Sequence, residues 1–160
     1  MASKLNVGVI SDTHGLVRPE AIEALRGADV ILHAGDVGGP RVLQELGELA
    51  PVIAVRGNVD SHAWAQALPE SRRLELQDIP VLLVHDRALV GTLPGSAGLQ
   101  VVVFGHSHEP LAQTHDGVLW FNPGSAGPKR FSLPVSLGFL EIEDGQVRHR
   151  HLRLEGKHDD

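Results

Sequence analysis

Three short apolar runs, "LNVGVIS" at residues 5–11, "VILHA" at 30–34 and "PVIAVR" at 51–56, stand one helix-length apart, and this spacing constrains the chain more than any other feature. Each run is short enough for a strand and too apolar to keep one face in water, so all three predict strands buried on both sides. Between them lie "RPEAIEALRG" and "GPRVLQELGEL", with apolar residues at helical spacing, a proline near the first turn and a glycine near the end. Strand alternating with helix predicts right-handed βαβ units and a parallel sheet.

Beyond residue 70 the pattern turns to β-structure. "RRLELQ" and "IPVLLVH" predict a hairpin, "VVVFG" at 101–105 returns to a buried strand, and the Gly- and Pro-rich connector at 87–100 makes a weak helix. Two Asp-Gly turns follow, at 116–117 between "PLAQTH" and "VLWFN" and at 144–145 between "PVSLGFLEIE" and "VRHRHLRLE". At 160 residues the expectation is a single domain over 1–160, with its core over 5–153 and a frayed tail at 154–160. No apolar run reaches the ~18 residues of a membrane span, and the N-terminus lacks the apolar core and cleavage site of a secretory signal. A cytoplasmic protein without a membrane partner is expected; homo-oligomerisation is left open.

Chemistry emerges at the strand ends. The apolar runs deliver, in order, Asp12 and His14, Asp36, Asn58, His85, and His106 with His108. In an open α/β sheet the carboxyl ends of the strands face one crevice, so the seven side chains should converge there. Extended backbone would point residues i and i+2 the same way, pairing Asp12 with His14 and His106 with His108. The chain has no cysteine, so a metal must be held by imidazole, carboxylate and amide oxygen. Seven donors exceed the needs of one zinc ion and suit two metals about 3.5–4 Å apart sharing a carboxylate, with Asp36 the natural bridge. Two carboxylates against two divalent ions leave a cationic centre that attracts an anionic phosphate oxygen. The formal charge of −6 argues against a broad face for duplex nucleic acid, but bound cations can reverse the local field.

The ordered motifs "SDTHG", "HAGD", "VRGNVD", the strand-end His85 and "FGHSH" resemble the calcineurin-like metallophosphoesterase superfamily, and the short length and "FNPGS" are similar to its small bacterial and archaeal phosphodiesterase branch. The resemblance covers roughly residues 5 to 150. It implies an α/β fold, a two-sheet β-sandwich flanked by helices in four αββα layers. It also implies two divalent ions per chain, manganese first, with nickel, iron or zinc as alternatives. Asp12, His14 and His108 would bind one ion, Asn58, His85 and His106 the other, with Asp36 bridging; Asp36, Asn58 and His106 double as catalytic candidates. The implied activity is phosphodiester hydrolysis by a hydroxide shared between the ions, acting on a small phosphate ester. A phosphomonoesterase, or a non-catalytic metal-binding scaffold like the retromer subunit of this superfamily, is the alternative.

Two positions depart from the family pattern. Val59 stands where many relatives have a histidine proposed to contact substrate or protonate the leaving group, and Asp86 stands where glycine is usual after His85. Elsewhere, His33 reads as a buried neutral histidine satisfied by backbone, a reading compatible with support of a ligand, and a metal ligand is the other reading. Asn122 and Ser125, with Lys129 or Arg130, either form a structural turn or line a phosphate entrance. His62, His115, His149, His151 and His158 are expected in solvent.

Overall fold

The computed structural model describes residues 4–92, 97–130 and 132–154. Three parallel strands, β1 (Leu5–Ile10), β2 (Val30–His33) and β3 (Val52–Ala54), form half of a five-stranded sheet, and their connections carry α1 (Pro19–Leu25) and α2 (Pro40–Gly47). Proline at the first turn of each helix costs nothing, because the amide it lacks would have no partner there. A short α3 (Ala63–Gln66), for which the sequence carries little periodicity, leads out of this half.

The chain then builds a second sheet. β4 (Ser71–Leu76) and β5 (Ile79–Val84) form the expected hairpin, turning at Gln77 and Asp78, both with positive φ. β6 (Val101–Val103) lies parallel to β5 and to β8 (Val118–Asn122), and β7 (Leu111–His115) pairs antiparallel with β8 at the edge. Finally β9 (Ser136–Glu143) and β10 (Gln146–Arg153) return to the first sheet, β9 antiparallel to β1, giving the order β10-β9-β1-β2-β3 beside β4-β5-β6-β8-β7. The parallel sheet expected from the first half is therefore only one side of a mixed one, running from β1 in the middle to β3 at the edge.

Burial on both faces follows from strand alternation. Val7, Val9 and Leu32 of one sheet meet Val81, Leu83, Val101, Val103 and Phe121 of the other, and this layer is the main core. On the far side of the first sheet Ile10 and Ile31 pack with Leu25 and Leu46 of the helices. On the far side of the second, Leu82, Val84, Val102 and Phe104 are covered by Val90 from a 3₁₀ helix, Arg87–Thr92. The flanking layer on that face is thus a 3₁₀ turn rather than an α-helix; residues 93–96 of the same connector lie outside the described residues. Leu154, the first residue of the tail expected at 154–160, is buried against the helical layer, and residues 155–160 also lie outside the described residues.

Candidate metal centre

The parallel strands of both sheets end on the same side of the sandwich. β1, β2 and β3 deliver Asp12 with His14, Asp36 and Asn58; β5 and β6 deliver His85 and the His106–His108 loop. The crevice is the seam between two sheets, not the switch point of one open sheet.

Five of the seven candidate donors sit in the left-handed region: Asp12, His14, Asp36, His106 and His108 have φ of 56°, 49°, 53°, 76° and 65°. The i, i+2 pairs are therefore not extended, as the spacing had suggested. Aspartate and histidine tolerate this region better than most residues, and such strain persists only where the surroundings enforce it. His106 lies against His85, ring centroids 5.2 Å apart, whereas His108 lies against His14 at 5.5 Å.

Two carboxylates stand between these imidazole pairs. Asp12 Oδ1 is 3.4 Å from His108 Nε2, 3.9 Å from His85 Nε2 and 4.0 Å from His14 Nε2. Asp36 Oδ2 is 3.2 Å from His85 Nε2 and 3.8 Å from His14 Nε2. Both carboxylates thus reach both pairs, and the geometry does not single out Asp36 as the one between them. Asn58 Oδ1 lies 3.0 Å from His85 Nε2. Asp12, His85 and His108 are buried, while Asn58 and His106 are exposed and form the open side of the cluster.

Whether this set fits a cation can be tested on its own atoms. His85 Nδ1 donates to the Ala34 carbonyl at 2.7 Å, so in the neutral ring the Nε2 lone pair faces two oxygens. That arrangement is favourable only with positive charge between them. Burial alone would lower the His85 pKa, but the Asp36 hydrogen bond and the charges of Asp12 and Asp36 outweigh it and raise it. Burial likewise opposes ionisation of Asp36, yet His85 and the Val59 N–H bring its pKa down to about 2. Asp12 is lowered too, His108, His85 and Ser11 overcoming its burial, whereas His14 is lowered chiefly by burial and stays neutral, as a ligand must. Asp12 Oδ1, His14 Nε2 and His108 Nδ1 are buried without a hydrogen-bond partner. Each such atom costs about 1–3 kcal/mol. Asp12 Oδ1 and His14 Nε2 face each other at 4.0 Å with His108 Nε2 3.4 Å from the same oxygen, and this carboxylate and imidazole set suits a divalent cation.

The remaining lone pairs are used to hold the loops. Asp12 Oδ2 accepts from Ser11 Oγ at 2.7 Å and from the His106 N–H at 3.1 Å, tying the two sheets together. Asp36 Oδ1 accepts the Val59 N–H at 3.0 Å. Asp60, which the sequence reading left without a role, is a buried carboxylate accepting the N–H groups of Val37, Gly38 and Gly57 at 2.9–3.0 Å. It clips the Asp36 loop to the Asn58 loop; the available signal was an acid two residues past the asparagine in an otherwise closed turn. Gly57 and Gly105 permit the close approach, since a Cβ on either would overlap the Asp36 carboxylate or the Ser11 hydroxyl.

His33 is fully buried and neutral, its pKa pushed down to about 4 by burial. Its Nδ1 accepts the Gly35 N–H and its Nε2–H donates to Thr13 Oγ1, whose own proton goes to the Val37 carbonyl. Asn122 and Ser125 are also buried: Asn122 Nδ2 donates to the Gly105 carbonyl and Ser107 Oγ, and Ser125 Oγ donates to the Asp12 carbonyl. They brace the donor loops rather than line an entrance. Asp86 Oδ1 accepts the Ala88 N–H and opens the 3₁₀ helix. His62, His115 and His149 are exposed as expected, but His151 is half-buried, stacked at 4.6 Å on Phe121 and donating to the Asn122 carbonyl. His158 lies outside the described residues.

Residues 5–145 match the calcineurin-like phosphoesterase superfamily domain, and the chain belongs to that superfamily. A probable metallophosphoesterase of Methanothermobacter thermautotrophicus is 38% identical to it over 86% of each chain. The phosphodiesterase YfcE of Escherichia coli K12 is 34% identical over 82% of this chain and 84% of its own. Superposed on a solved structure of YfcE, the chain is covered over 94% of its length and YfcE over 100%, at a TM-score of 0.69 and 27% identity across the longer aligned stretch. Vacuolar protein sorting 29 of Cryptosporidium parvum has the same fold, with a TM-score of 0.74 at 19% identity, covering 93% of this chain and 97% of that one. Among the described residues no helix is long and apolar enough to cross a membrane.

Proposed function

We propose that the protein is a cytoplasmic phosphodiesterase working with two divalent ions, manganese first among them. Asp12, His14 and His108 would hold one ion and Asn58, His85 and His106 the other, with Asp36 shared between them as the family resemblance implies. When bound, such ions supply a deprotonated water at neutral pH and neutralise charge on the phosphoryl oxygens. The observation that carries the reading is the pair of aspartates reached by both imidazole pairs, with buried donor atoms left unpartnered among them. Membership of the phosphoesterase superfamily and the likeness to YfcE support the same chemistry.

The chain's own residues contribute orientation. The Ala34 carbonyl fixes the ring and tautomer of His85, and the Val59 N–H holds one oxygen of Asp36 so that the other faces the cluster. The exposed Asn58 and His106 form the face that a phosphate ester reaches first. Val59 cannot donate a proton, so departure of the alcohol proceeds without help from that position, which favours diesters with good leaving groups.

A vacuolar sorting protein shares this fold, and a non-catalytic binding role is the second reading. Presence of all seven candidate donors favours catalysis. The test is to strip metals, restore Mn²⁺, Ni²⁺ or Zn²⁺ separately, and measure hydrolysis of an activated aryl diester beside the matching monoester, with Asp36→Ala as control. Diester turnover that returns with metal and vanishes in the variant is expected. Two ions bound per chain without turnover would move the assignment to the binding role.

A further inference from the structure

Two open clefts meet at His106. One, about 220 Å³, runs past Asn58, Arg56 and Glu70; the other, about 360 Å³, runs past Arg87, Phe104 and Glu109. Asp86 and His106 line both. A phosphodiester has two arms, and a phosphorus held beside His106 can send one into each cleft.

The charges in these clefts are unequal. Arg56 is engaged by the Leu68 carbonyl at 2.8 Å and by Glu70 at 3.6 Å, and the Arg87 guanidinium lies 5.3 Å from the centroid of the Phe104 ring. Apart from histidine, three carboxylates, Glu70, Asp86 and Glu109, stand against these two guanidiniums. Asp86 is the one that both arms must pass. Its Oδ1 is held by the Ala88 N–H at 3.0 Å, so the carboxylate is fixed at the fork rather than swinging in solvent.

Resting on the phosphodiesterase reading, we propose that Asp86 selects substrates by charge, admitting diester monoanions with uncharged or cationic arms and disfavouring phosphomonoester dianions and arms that carry further phosphate. A phosphomonoester loses its second proton at a pKa of about 6, so above pH 7 it carries about one more negative charge than a diester. Repulsion scales with ligand charge, so a carboxylate at the fork costs the dianion about twice what it costs the monoanion, and salt screens the difference.

Asparagine at position 86 keeps the acceptor for Ala88 and removes the charge, so the turn survives the test. Metal-restored wild type and Asp86→Asn would be compared at pH 8 on 4-nitrophenyl phosphate and bis(4-nitrophenyl) phosphate, at low and high salt. Binding of inorganic phosphate and of dimethyl phosphate would be measured in parallel by calorimetry. The expected result is a monoester-to-diester ratio of kcat/KM raised roughly three- to tenfold in Asp86→Asn at low salt, with a smaller rise at high salt. Inorganic phosphate should gain more affinity than dimethyl phosphate, by about the same three- to tenfold factor. An unchanged ratio, or equal changes for both substrates and both anions, would overturn the proposal. Wild type that turns over neither substrate would sink the phosphodiesterase reading, and the two calorimetric affinities would then decide the role of Asp86 alone.

Discussion

His33 Nε2 lies 3.0 Å from Thr13 Oγ1, a bond that joins the loop carrying Asp12 and His14 to the strand that leads into Asp36. Because Nδ1 already accepts the Gly35 N–H, protonating the ring would set two donors against each other. The folded pKa of about 4 lies below the unfolded value of 6.5, so the unfolded chain binds the extra proton between them. Stability from this residue is therefore complete above pH 6.5 and falls as pH drops toward 4, by on the order of 3 kcal/mol. Urea unfolding of metal-free protein between pH 7 and 4.5 should show this slope, and His33→Gln should flatten it.

Asp60 makes a different prediction, because its carboxylate accepts three backbone N–H groups. Asparagine there would turn an NH₂ toward one of them and leave a buried donor unpaired, at about 1–3 kcal/mol. Asp60→Asn should lower the urea midpoint and weaken Mn²⁺ binding in a titration, although the Asp60 carboxylate bonds to backbone N–H groups and not to a candidate ligand side chain. A variant with weakened stability but unaltered Mn²⁺ affinity would show that the clip does not position the site.

Gly57 leaves no room for a methyl group beside Asp36. Gly57→Ala must displace either the carboxylate or the loop, a strain of about 1–3 kcal/mol. The expected outcome is a folded protein, by circular dichroism, that has lost most of its Mn²⁺-dependent turnover.

Val59 offers a test by gain. If leaving-group protonation is what the wild-type chain lacks, Val59→His should raise turnover of an alkyl diester by up to ~10²-fold and barely change an activated aryl diester. Equal effects on both substrates would place the limitation elsewhere.

Metal should also act as a ligand of the native state. At one hundred times its dissociation constant, Mn²⁺ should add about 2.7 kcal/mol to unfolding stability, read as a higher Tm that falls back with chelator. In Asp36→Ala the shift should shrink or vanish.

Much of this organisation is legible in the residues themselves. The strands around Val9, Ile31 and Val102 announce themselves by apolar runs, and the donors by their places just beyond those runs. What the runs do not carry is which sheet each joins: "PVLLV" and "VIAVR" look alike, yet β5 and β3 lie in different sheets. The resemblance supplied the sandwich that periodicity could not. Left-handed φ at Asp12 and His106 was invisible because neither is glycine, and extended backbone was the natural default. Asn122 and Ser125 lie far along the chain from Gly105 and Asp12, which they brace, so nothing local marked their partners.

β1 occupies the centre of its sheet, with β2 on one side and β9 on the other, although it is the first strand among the described residues. The Asp12 carbonyl at its end is held by Ser125, and the Asp12 carboxylate by the His106 amide. During synthesis at ~5–20 residues per second, Asp12 therefore waits several seconds for the segments that complete its surroundings. Order of translation and order of assembly are uncoupled: a growing chain can form its βαβ half early, but the surroundings of Asp12 close only once the segment that carries Ser125 has been made.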